Sequence, residues 1–526
     1  MVGKNPIVID SSSEDEDEDL KRAIALSLQS GEEARADEGL PCKQSASATS
    51  ALPARPGLGG LDRRKMEEDR LARIQKRKPE SPQQENPAKR HHAVAETRHE
   101  PRLKFPQPVV KRTWAFGYPR TGDDVKIEEI FDKKNLQLAL LSSFTWDEEW
   151  LLTKVDVRNT RLMLLAYAND EETKAAMQAN TPSNIRFCFP KMNGPGAMHS
   201  KLQVLKFPNH LRIAIPTGNL MSYDWGETGV MENMVFLVDL PRLPDKTTYV
   251  PTMFSNDLCR FLEESGVDER MISSLQNYDF AATSEVAFVY SRPGSYMGDN
   301  LYDNGCNSLA KNITALGLTT VEPVEIDLIC SSLGSLNFNF ISTIYDACLG
   351  TKDGQKTRKR DANDDIMKRF RVYFPTNGTV AQSKGGKQSG GTICVQSKWW
   401  NASTFPKGIM RDCINTRAGI LSHSKVIYVR YTSLKREDKY AGWAYVGSSN
   451  LSESAWGKIV TDKATKQAKI TCRNWECGVV MPLANTDTSN TSMVNLKDFE
   501  RAVPVPMQQP PRPYAANEQP WFFQGP

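Results

Sequence analysis

The chain carries the same ordered set of short motifs twice, and this internal repeat constrains its fold more than any other feature. Each copy has a His-Ser-Lys tripeptide, an apolar run, a small-Asn-Leu tripeptide and a glutamate that opens another apolar run. The order and the chemistry match although the spacing differs, so the repeat predicts two similar domains related by a pseudo-twofold axis. The repeated residues are His199, Lys201, Asn219 and Glu232 in the first copy and His423, Lys425, Asn450 and Glu476 in the second.

Short apolar runs alternate with amphipathic stretches from about residue 105 onwards. This alternation predicts an α/β fold built of layers. Together with the repeat, it predicts two α-β-α layered domains, over residues 106–293 and 294–526, after a disordered tail of residues 1–105. The expected strands cover 161–167, 211–215, 234–240, 286–291 and 325–330, and the expected helices cover 170–178, 254–264 and 337–349.

Each tripeptide places a histidine two residues before a lysine at the start of an apolar run. Residues i and i+2 of a strand point to the same face, so we expect the imidazole and the ammonium of each copy to share one point. The asparagine that follows the next strand could reach the same point. Two such units facing each other would surround one centre with groups that suit a phosphate diester. One histidine can then attack phosphorus while the other protonates the leaving oxygen.

Several of these residues also have a purely structural interpretation. A single His-x-Lys is a weak signal, Asn450 could cap a helix, and the two glutamates could be ordinary strand-edge carboxylates. The chain has six histidines, at positions 91, 92, 99, 199, 210 and 423, and the first three lie in the polar tail. The repeat therefore uses two of the three histidines in the part expected to fold. We interpret the third, His210, as structural.

Composition excludes several classes of protein. No stretch approaches the roughly 18 consecutive apolar residues of a membrane helix, and no apolar leader follows Met1, so we expect neither membrane association nor secretion. The ten cysteines never form a C-x-x-C pair, which favours reduced thiols and argues against a structural zinc. We expect no metal and no cofactor.

The N-terminal tail combines an acidic run with later basic clusters. Residues 17–28 resemble a ubiquitin-interacting motif, in which acidic residues precede a short helix, and residues 7–10 resemble a SUMO-interacting strand. The basic clusters at 76–78 and 89–90 indicate a bipartite nuclear signal, with a solvated linker as the alternative. We therefore expect ubiquitin and SUMO as partners of residues 7–30, and the nucleus as the location.

Paired His-x-Lys motifs followed by asparagine resemble the phospholipase D superfamily. Its common members carry an aspartate five residues after the lysine, but this chain has Lys206 and Arg430 there. A chain that lacks this aspartate and keeps His, Lys and Asn resembles the tyrosyl-DNA phosphodiesterase branch, and the resemblance covers most of residues 113–526. It implies a nuclear repair enzyme that removes a topoisomerase-derived tyrosine, and other adducts, from DNA 3′ ends without a metal.

The resemblance also implies roles for individual residues. His199 would be the nucleophile, and His423 would be the general acid and then the general base. The phosphate would be held by ammonium and amide groups of both copies, namely Lys201, Lys425, Asn219 and Asn450. Two carboxylates would orient the histidines, namely Glu476 and Glu232. Contacts to DNA would come from hydroxyl groups and from one aromatic ring on which a base stacks, namely Ser332, Ser335, Ser452 and Trp146.

Two rival functions remain open at this point. One is a phospholipase or a general nuclease of the same superfamily, although the absent aspartate and the nuclear signal count against a phospholipase. The other is a ubiquitin-reading scaffold at DNA ends with a vestigial site, although the intact His, Lys and Asn of both copies count against it. We expect a monomeric enzyme that acts on single- or double-stranded DNA 3′ ends carrying a tyrosyl peptide.

Overall fold

The computed structural model describes residues 103–522 apart from 169, 180, 246, 352–361 and 487–493. The motifs of the N-terminal tail, including the segment 7–30 and the basic clusters, lie outside the described residues. No helix among the described residues is long and apolar enough to cross a membrane.

The strands of the described residues divide between two large sheets and two small ones. In chain order they are β1 (Val109–Thr113), β2 (Asp124–Val125), β3 (Leu138–Ser142), β4 (Arg161–Leu165), β5 (Ile185–Cys188), β6 (Gln203–Lys206), β7 (His210–Pro216), β8 (Met231–Glu232), β9 (Met234–Pro241), β10 (Ala287–Ser291), β11 (Gly294–Tyr296), β12 (Val324–Ile329), β13 (Phe370–Phe374), β14 (Met410–Asp412), β15 (Leu421–Ser422), β16 (Val426–Tyr431), β17 (Tyr440–Gly447), β18 (Lys458–Thr461), β19 (Ala468–Cys472) and β20 (Glu476–Ala484).

The two large sheets share one strand order. The first sheet runs β2-β1-β9-β7-β6-β3-β4-β5, and the second runs β10-β20-β17-β16-β12-β13-β14. Apart from β2, the first sheet therefore matches the second strand for strand, in the same chain order. The directions also match, because β3 is parallel to β4 as β12 is to β13, and β6 is antiparallel to β3 as β16 is to β12. The predicted architecture of two related α/β units is confirmed.

Helices cover the sheets and connect their parallel strands. They are α1 (Ile127–Phe131), α2 (Glu148–Lys154), α3 (Glu171–Ala179), α4 (Met253–Glu264), α5 (Glu269–Ser274), α6 (Gly305–Ala315), α7 (Phe338–Cys348), α8 (Ala362–Arg369), α9 (Asn377–Ala381), α10 (Ser397–Trp400) and α11 (Glu453–Trp456). Side chains cap several of them. Asp147 accepts a hydrogen bond from the Trp150 N–H at the start of α2, and Asn337 accepts one from the Phe340 N–H at the start of α7.

Three apolar layers enclose the two sheets. One outer layer holds α1 and α2 against the first sheet, and the other holds α6 and α7 against the second. The middle layer lies between the sheets and combines side chains of both, such as Phe236 of β9 and Val446 of β17. A fully buried side chain of this size contributes about 1.5–3 kcal/mol. The shared middle layer therefore fixes the two halves against each other.

The second sheet includes a strand that lies before the expected domain boundary at residues 293 and 294. β10 pairs antiparallel with β20, with Ala287 opposite Val480. The change from the first unit to the second therefore falls between Pro241 and Ala287, which corrects the expected boundary. The apolar run at 286–291 predicted a strand correctly, but its partner strand lies near the other end of the chain.

Candidate active site

Each His-Ser-Lys tripeptide forms a backbone hydrogen bond with the opposite half of the molecule. The His199 N–H donates to the Trp475 carbonyl at 3.0 Å, and the His423 N–H donates to the Glu232 carbonyl at 2.9 Å. The tripeptides lie just before β6 and β16 and not within these strands, which corrects the predicted strand position. Each histidine is thus positioned by a backbone group of the opposite half.

His199 is oriented by a buried glutamate of the second half. Its Nδ1 lies 2.9 Å from Oε2 of Glu476. The same carboxylate accepts a hydrogen bond from the Ser448 hydroxyl and one from Nδ2 of Asn474, the latter at 3.0 Å. Burial alone would favour the neutral acid, but His199 and Lys201 hold the pKa of Glu476 below its usual value. Glu476 therefore stands as a carboxylate that fixes the ring of His199.

His423 has a carboxylate partner that the sequence did not predict. Its Nδ1 lies 2.9 Å from Oδ1 of Asp224. Asp224 is held in turn by the Asn219 backbone N–H and by Nδ2 of Asn233, both at 2.9 Å. Burial would raise the pKa of Asp224, but His423 and Lys425 hold it below the usual value. Each histidine thus has its own buried carboxylate, contributed by the opposite half.

The expectation that Glu232 orients a histidine is not met. Its side chain is fully buried and lies 2.9 Å from Nη1 of Arg417, and it accepts a hydrogen bond from Nδ2 of Asn415 at 3.1 Å. Only its backbone carbonyl contacts His423. Burial raises the pKa of Glu232 despite the neighbouring Arg112 and Arg417. Glu232 is therefore part of a charged cluster that joins the two halves.

The hydrogen-bond register explains this error. Thr217 Oγ1 binds the Asn233 side chain and accepts from the Met234 N–H, and Ser448 Oγ binds the Glu476 side chain and accepts from the Cys477 N–H. Asn233 is therefore the counterpart of Glu476, one residue after Glu232. The carboxylate for His423 comes from a different place, the turn that follows Asn219.

Two buried ammonium groups accompany the histidines. Lys201 Nζ donates to the His199 carbonyl at 2.8 Å and lies 3.4 Å from Nε2 of the same ring. Lys425 Nζ donates to the carbonyls of His423 and Thr217, at 2.5 and 3.2 Å. Burial lowers the pKa of Lys201 to about 8, and burial together with Lys201 lowers that of Lys425 well below its usual value. An anion bound between the two lysines would relieve both effects.

The two asparagines differ in how their side chains are held. Oδ1 of Asn450 accepts three hydrogen bonds, from the backbone N–H groups of Ser331 and Ser332 and from the Ser331 hydroxyl, at 3.1–3.2 Å. This leaves the amide N–H groups of Asn450 for another acceptor. Oδ1 of Asn219 is buried, and among the described residues it has no hydrogen-bond partner. Both side chains line the same cleft.

Half of the predicted site residues line the cleft. Its walls include both histidines, both asparagines, Ser332 and Ser452. Ser335 is half-buried and is not among the described residues that line the cleft. Trp146 is also elsewhere, because its backbone pairs with Leu220 and its ring lines a separate apolar pocket beside α2. The expected stacking position of Trp146 is therefore not supported.

Sequence reasoning missed several residues that line or support the cleft. The ring of Phe144 lies 5.1 Å from the ring of His199, at the place expected for an aromatic side chain. Arg473 adds a cationic side chain to the wall, beside Asn474. For Asp224 a signal was available, since it follows Asn219 by five residues in an Asp-Trp pair. Phe144 and Arg473 belong to no repeated motif.

Burial favours the neutral form of both imidazoles in the free protein. Burial lowers the pKa of His199, and burial lowers that of His423 to about 4, although a carboxylate lies beside each ring. Nδ1 of His199 is hydrogen-bonded to Glu476, so its neutral tautomer carries the proton there and leaves Nε2 with a lone pair. Nδ1 of His423 lies 2.9 Å from Asp224 without forming a well-aligned hydrogen bond in the free protein, and the carboxylate favours the same tautomer by its charge. Such a ring can attack an electrophile or accept a proton.

Comparisons with known proteins agree with this geometry. The family described as tyrosyl-DNA phosphodiesterase matches residues 109–515, and the ubiquitin interaction motif matches residues 15–30. Both matches agree with the resemblances found in the sequence.

Individual relatives are similar over most of the chain. Tyrosyl-DNA phosphodiesterase 1 of Drosophila melanogaster is 25% identical over 423 residues, which cover 76% of this chain and 70% of the fly protein. Its namesake in Arabidopsis thaliana is 23% identical over 447 residues, with 73% and 69% covered. The crystal structure of the yeast tyrosyl-DNA phosphodiesterase aligns with a TM-score of 0.59 at 19% identity, over 79% of this chain and 100% of that one. This structural likeness supports the fold.

Proposed function

We propose that this chain, which belongs to the tyrosyl-DNA phosphodiesterase family, hydrolyses the bond between a tyrosyl peptide and a DNA 3′ end, and removes other 3′ adducts in the same way. The observation that carries the proposal is the cleft with two histidines, each with Nδ1 2.9 Å from its own buried carboxylate. Two buried lysines beside them supply the positive charge that a phosphodiester requires.

In the first step, Nε2 of His199 attacks phosphorus and a P–N bond forms. The bond between phosphorus and the tyrosyl oxygen breaks, and His423 gives its proton to that oxygen. The tyrosyl peptide leaves, and the DNA remains joined to His199. The ammonium of Lys201, 3.4 Å from Nε2 of His199, disfavours protonation of this nitrogen and so preserves its lone pair.

In the second step, water attacks the phosphohistidine. His423 takes a proton from the water, the P–N bond breaks, and the products are a DNA 3′-phosphate and free His199. His423 thus acts first as an acid and then as a base. Asp224 stabilises the imidazolium of His423 that is present before the first event and again after the second, as a buried carboxylate does for the histidine of a catalytic triad.

His423 must be protonated before it can act as an acid, although its pKa is about 4 in the free site. An anionic phosphodiester in the cleft favours the imidazolium, because it offsets the charges of Lys201 and Lys425. Substrate binding is therefore accompanied by proton uptake at His423. The substrate phosphodiester accepts hydrogen bonds from the amide N–H groups of Asn219 and Asn450. Ser332 and Ser452 contact the neighbouring DNA phosphates.

The tail and the assembly are also subjects of proposal. We propose that residues 15–30 bind ubiquitin, on the strength of the motif match, and that residues 7–10 bind SUMO. The basic clusters at 76–78 and 89–90 would direct the protein to the nucleus, where its substrate is found. All catalytic groups described above come from one chain, so a monomer suffices for activity.

Full activity is expected in excess EDTA, because two lysine ammonium groups already neutralise the phosphodiester in this cleft. The assay incubates purified protein with a 3′-phosphotyrosyl oligonucleotide and follows the appearance of the 3′-phosphate product. A magnesium-dependent nuclease in the same buffer serves as the control for chelation. Loss of cleavage in EDTA with recovery on added magnesium would contradict the proposed mechanism, and no cleavage in any buffer would contradict the proposed function.

A further inference from the structure

Residues 458–472, named here the lysine hairpin, form a β-hairpin whose two ends both join the walls of the cleft. β18 follows Ser454 through the short helix α11, and β19 runs directly into Arg473 and Asn474. Ser454, Arg473 and Asn474 all line the cleft. The hairpin is therefore a direct extension of the cleft wall.

One face of the lysine hairpin is buried and the other is open. Ile459 lies opposite Ile470 in the pairing of β18 with β19, and both pack into the core of the second half. Alternate residues of a strand point to opposite faces, so the remaining side chains lie on the other side. The side chain of Lys458 is 53% exposed, and Val460 is 37% exposed. The open face carries Lys458, Val460, Lys469 and Thr471.

The turn of the hairpin is ordered by local hydrogen bonds. Asp462 accepts from the backbone N–H groups of Thr465 and Ala464, at 2.9 and 3.1 Å. The bond from the Thr465 N–H and then that from the Lys469 ammonium, at 3.2 Å, are the main causes that lower the pKa of Asp462 to about 2. The turn presents Lys463 and Lys466, both exposed, and among the described residues neither forms an ion pair.

The open face has the chemistry of a phosphate-binding surface. Residues 453–473 contain five basic and two acidic side chains, and the two carboxylates pair with Lys458 (Glu453, 3.5 Å) and Lys469 (Asp462, 3.2 Å), so the surface keeps a net positive charge. A strand beside β19 adds hydroxyl groups, since Ser295 and Thr471 share a hydrogen bond of 2.8 Å on this face. Lysine ammonium and Ser/Thr hydroxyl groups are the usual side-chain partners of nucleic-acid phosphates.

We propose that the lysine hairpin binds the phosphates of the DNA strand upstream of the 3′ end held in the cleft. This inference rests on the proposed function. The strand part of the hairpin, from Lys458 to Thr461, spans about 10 Å, which corresponds to about three nucleotide steps of DNA, and Lys463 lies beyond it in the turn. The hairpin therefore contacts nucleotides that a very short substrate lacks.

The test compares a long and a short substrate, of about twenty and about four nucleotides, each with a 3′-phosphotyrosine. In the variant Lys458→Ala/Lys463→Ala/Lys466→Ala, we expect KM for the long substrate to rise about tenfold or more and KM for the short one to stay within about twofold. Each lost phosphate contact reduces the slope of log affinity against log salt by about 0.7–0.9, so the slope for the long substrate should fall by about 2. The double variant Lys463→Glu/Lys466→Glu should show a larger effect.

The matched control is Lys133→Ala/Lys134→Ala/Lys435→Ala, which removes the same charge from exposed loops at the other ends of β3 and β16. It should leave KM and salt slope for both substrates near those of the unchanged protein. Unchanged KM and salt slope in the hairpin variants would overturn the proposal, as would equal impairment on the short substrate. Cleavage of both substrates by the unchanged protein is measured first, since its absence would count against the proposed function and not against the hairpin.

Discussion

Replacing His199 with alanine is expected to lower the rate of 3′-phosphotyrosyl cleavage by at least about four orders of magnitude. The variant keeps both lysines and His423 but has no nitrogen to attack phosphorus. The residual rate then depends on water attacking the diester directly, without a covalent step. Single-turnover measurements with enzyme in excess report this loss without interference from product release.

The matched control for this change is His210→Ala. His210 stacks on Phe207, with ring centres 4.5 Å apart, and its Nε2 lies 3.9 Å from Asp239. It does not line the cleft, so its removal should reduce thermal stability while cleavage by the folded enzyme stays within a fewfold. A His199→Ala variant that retained more than about one per cent of the rate would remove His199 from the role of nucleophile.

Replacing Asp224 with asparagine is expected to lower kcat by about two to four orders of magnitude. The amide that replaces the carboxylate no longer stabilises the imidazolium of His423. It can also hold the ring in the wrong tautomer, an effect that lowers kcat by about 10⁴ when the aspartate of a serine protease is changed in the same way. The second step should suffer more, because it requires His423 to take a proton from water. Rapid-quench kinetics should therefore show a burst of released tyrosine followed by slow turnover.

Glu232→Gln distinguishes the two carboxylates near His423. The Glu232 side chain contacts Arg417 and Asn415, not the imidazole. Its loss leaves a buried guanidinium without its full partner, so we expect a lower melting temperature with kcat within about tenfold of the original. Equal losses of kcat in Glu232→Gln and Asp224→Asn would mean that the assignment of Asp224 as the partner of His423 is wrong.

The internal repeat made much of this structure predictable. Two copies of His-x-Lys and Asn, each beside apolar runs, indicated two α/β units that share one centre, and the two sheets do have the same strand order. The same reasoning brought both histidines, both lysines and both asparagines to one place. Within each copy these predictions rely on residues that are close together along the chain, and the meeting of the two distant copies followed from the repeat itself.

The predictions that failed depend on contacts between distant residues. The register of β9 is set by the hydrogen bonds of Thr217 with Asn233 and Met234, and a shift of one residue exchanged Glu232 for Asn233 as the counterpart of Glu476. Beyond the end of β3 at Ser142, the backbone of Trp146 pairs with that of Leu220. This pairing sets the direction in which the side chains of that segment point. Neither pairing could be read from local periodicity.

The central claim is that His199 and His423 have different roles in spite of the repeat, and trapping the intermediate tests it most directly. His423→Ala should still allow His199 to attack, because the phenolate leaving group, whose conjugate acid has a pKa of about 10, can depart without full protonation. Hydrolysis then slows, so denaturing gels with 3′-phosphotyrosyl DNA should show a protein–DNA adduct that survives SDS and is labile to acid. His199→Ala should form none. An adduct in His199→Ala but not in His423→Ala would reverse the two roles, and no adduct in either variant under any condition would contradict covalent catalysis.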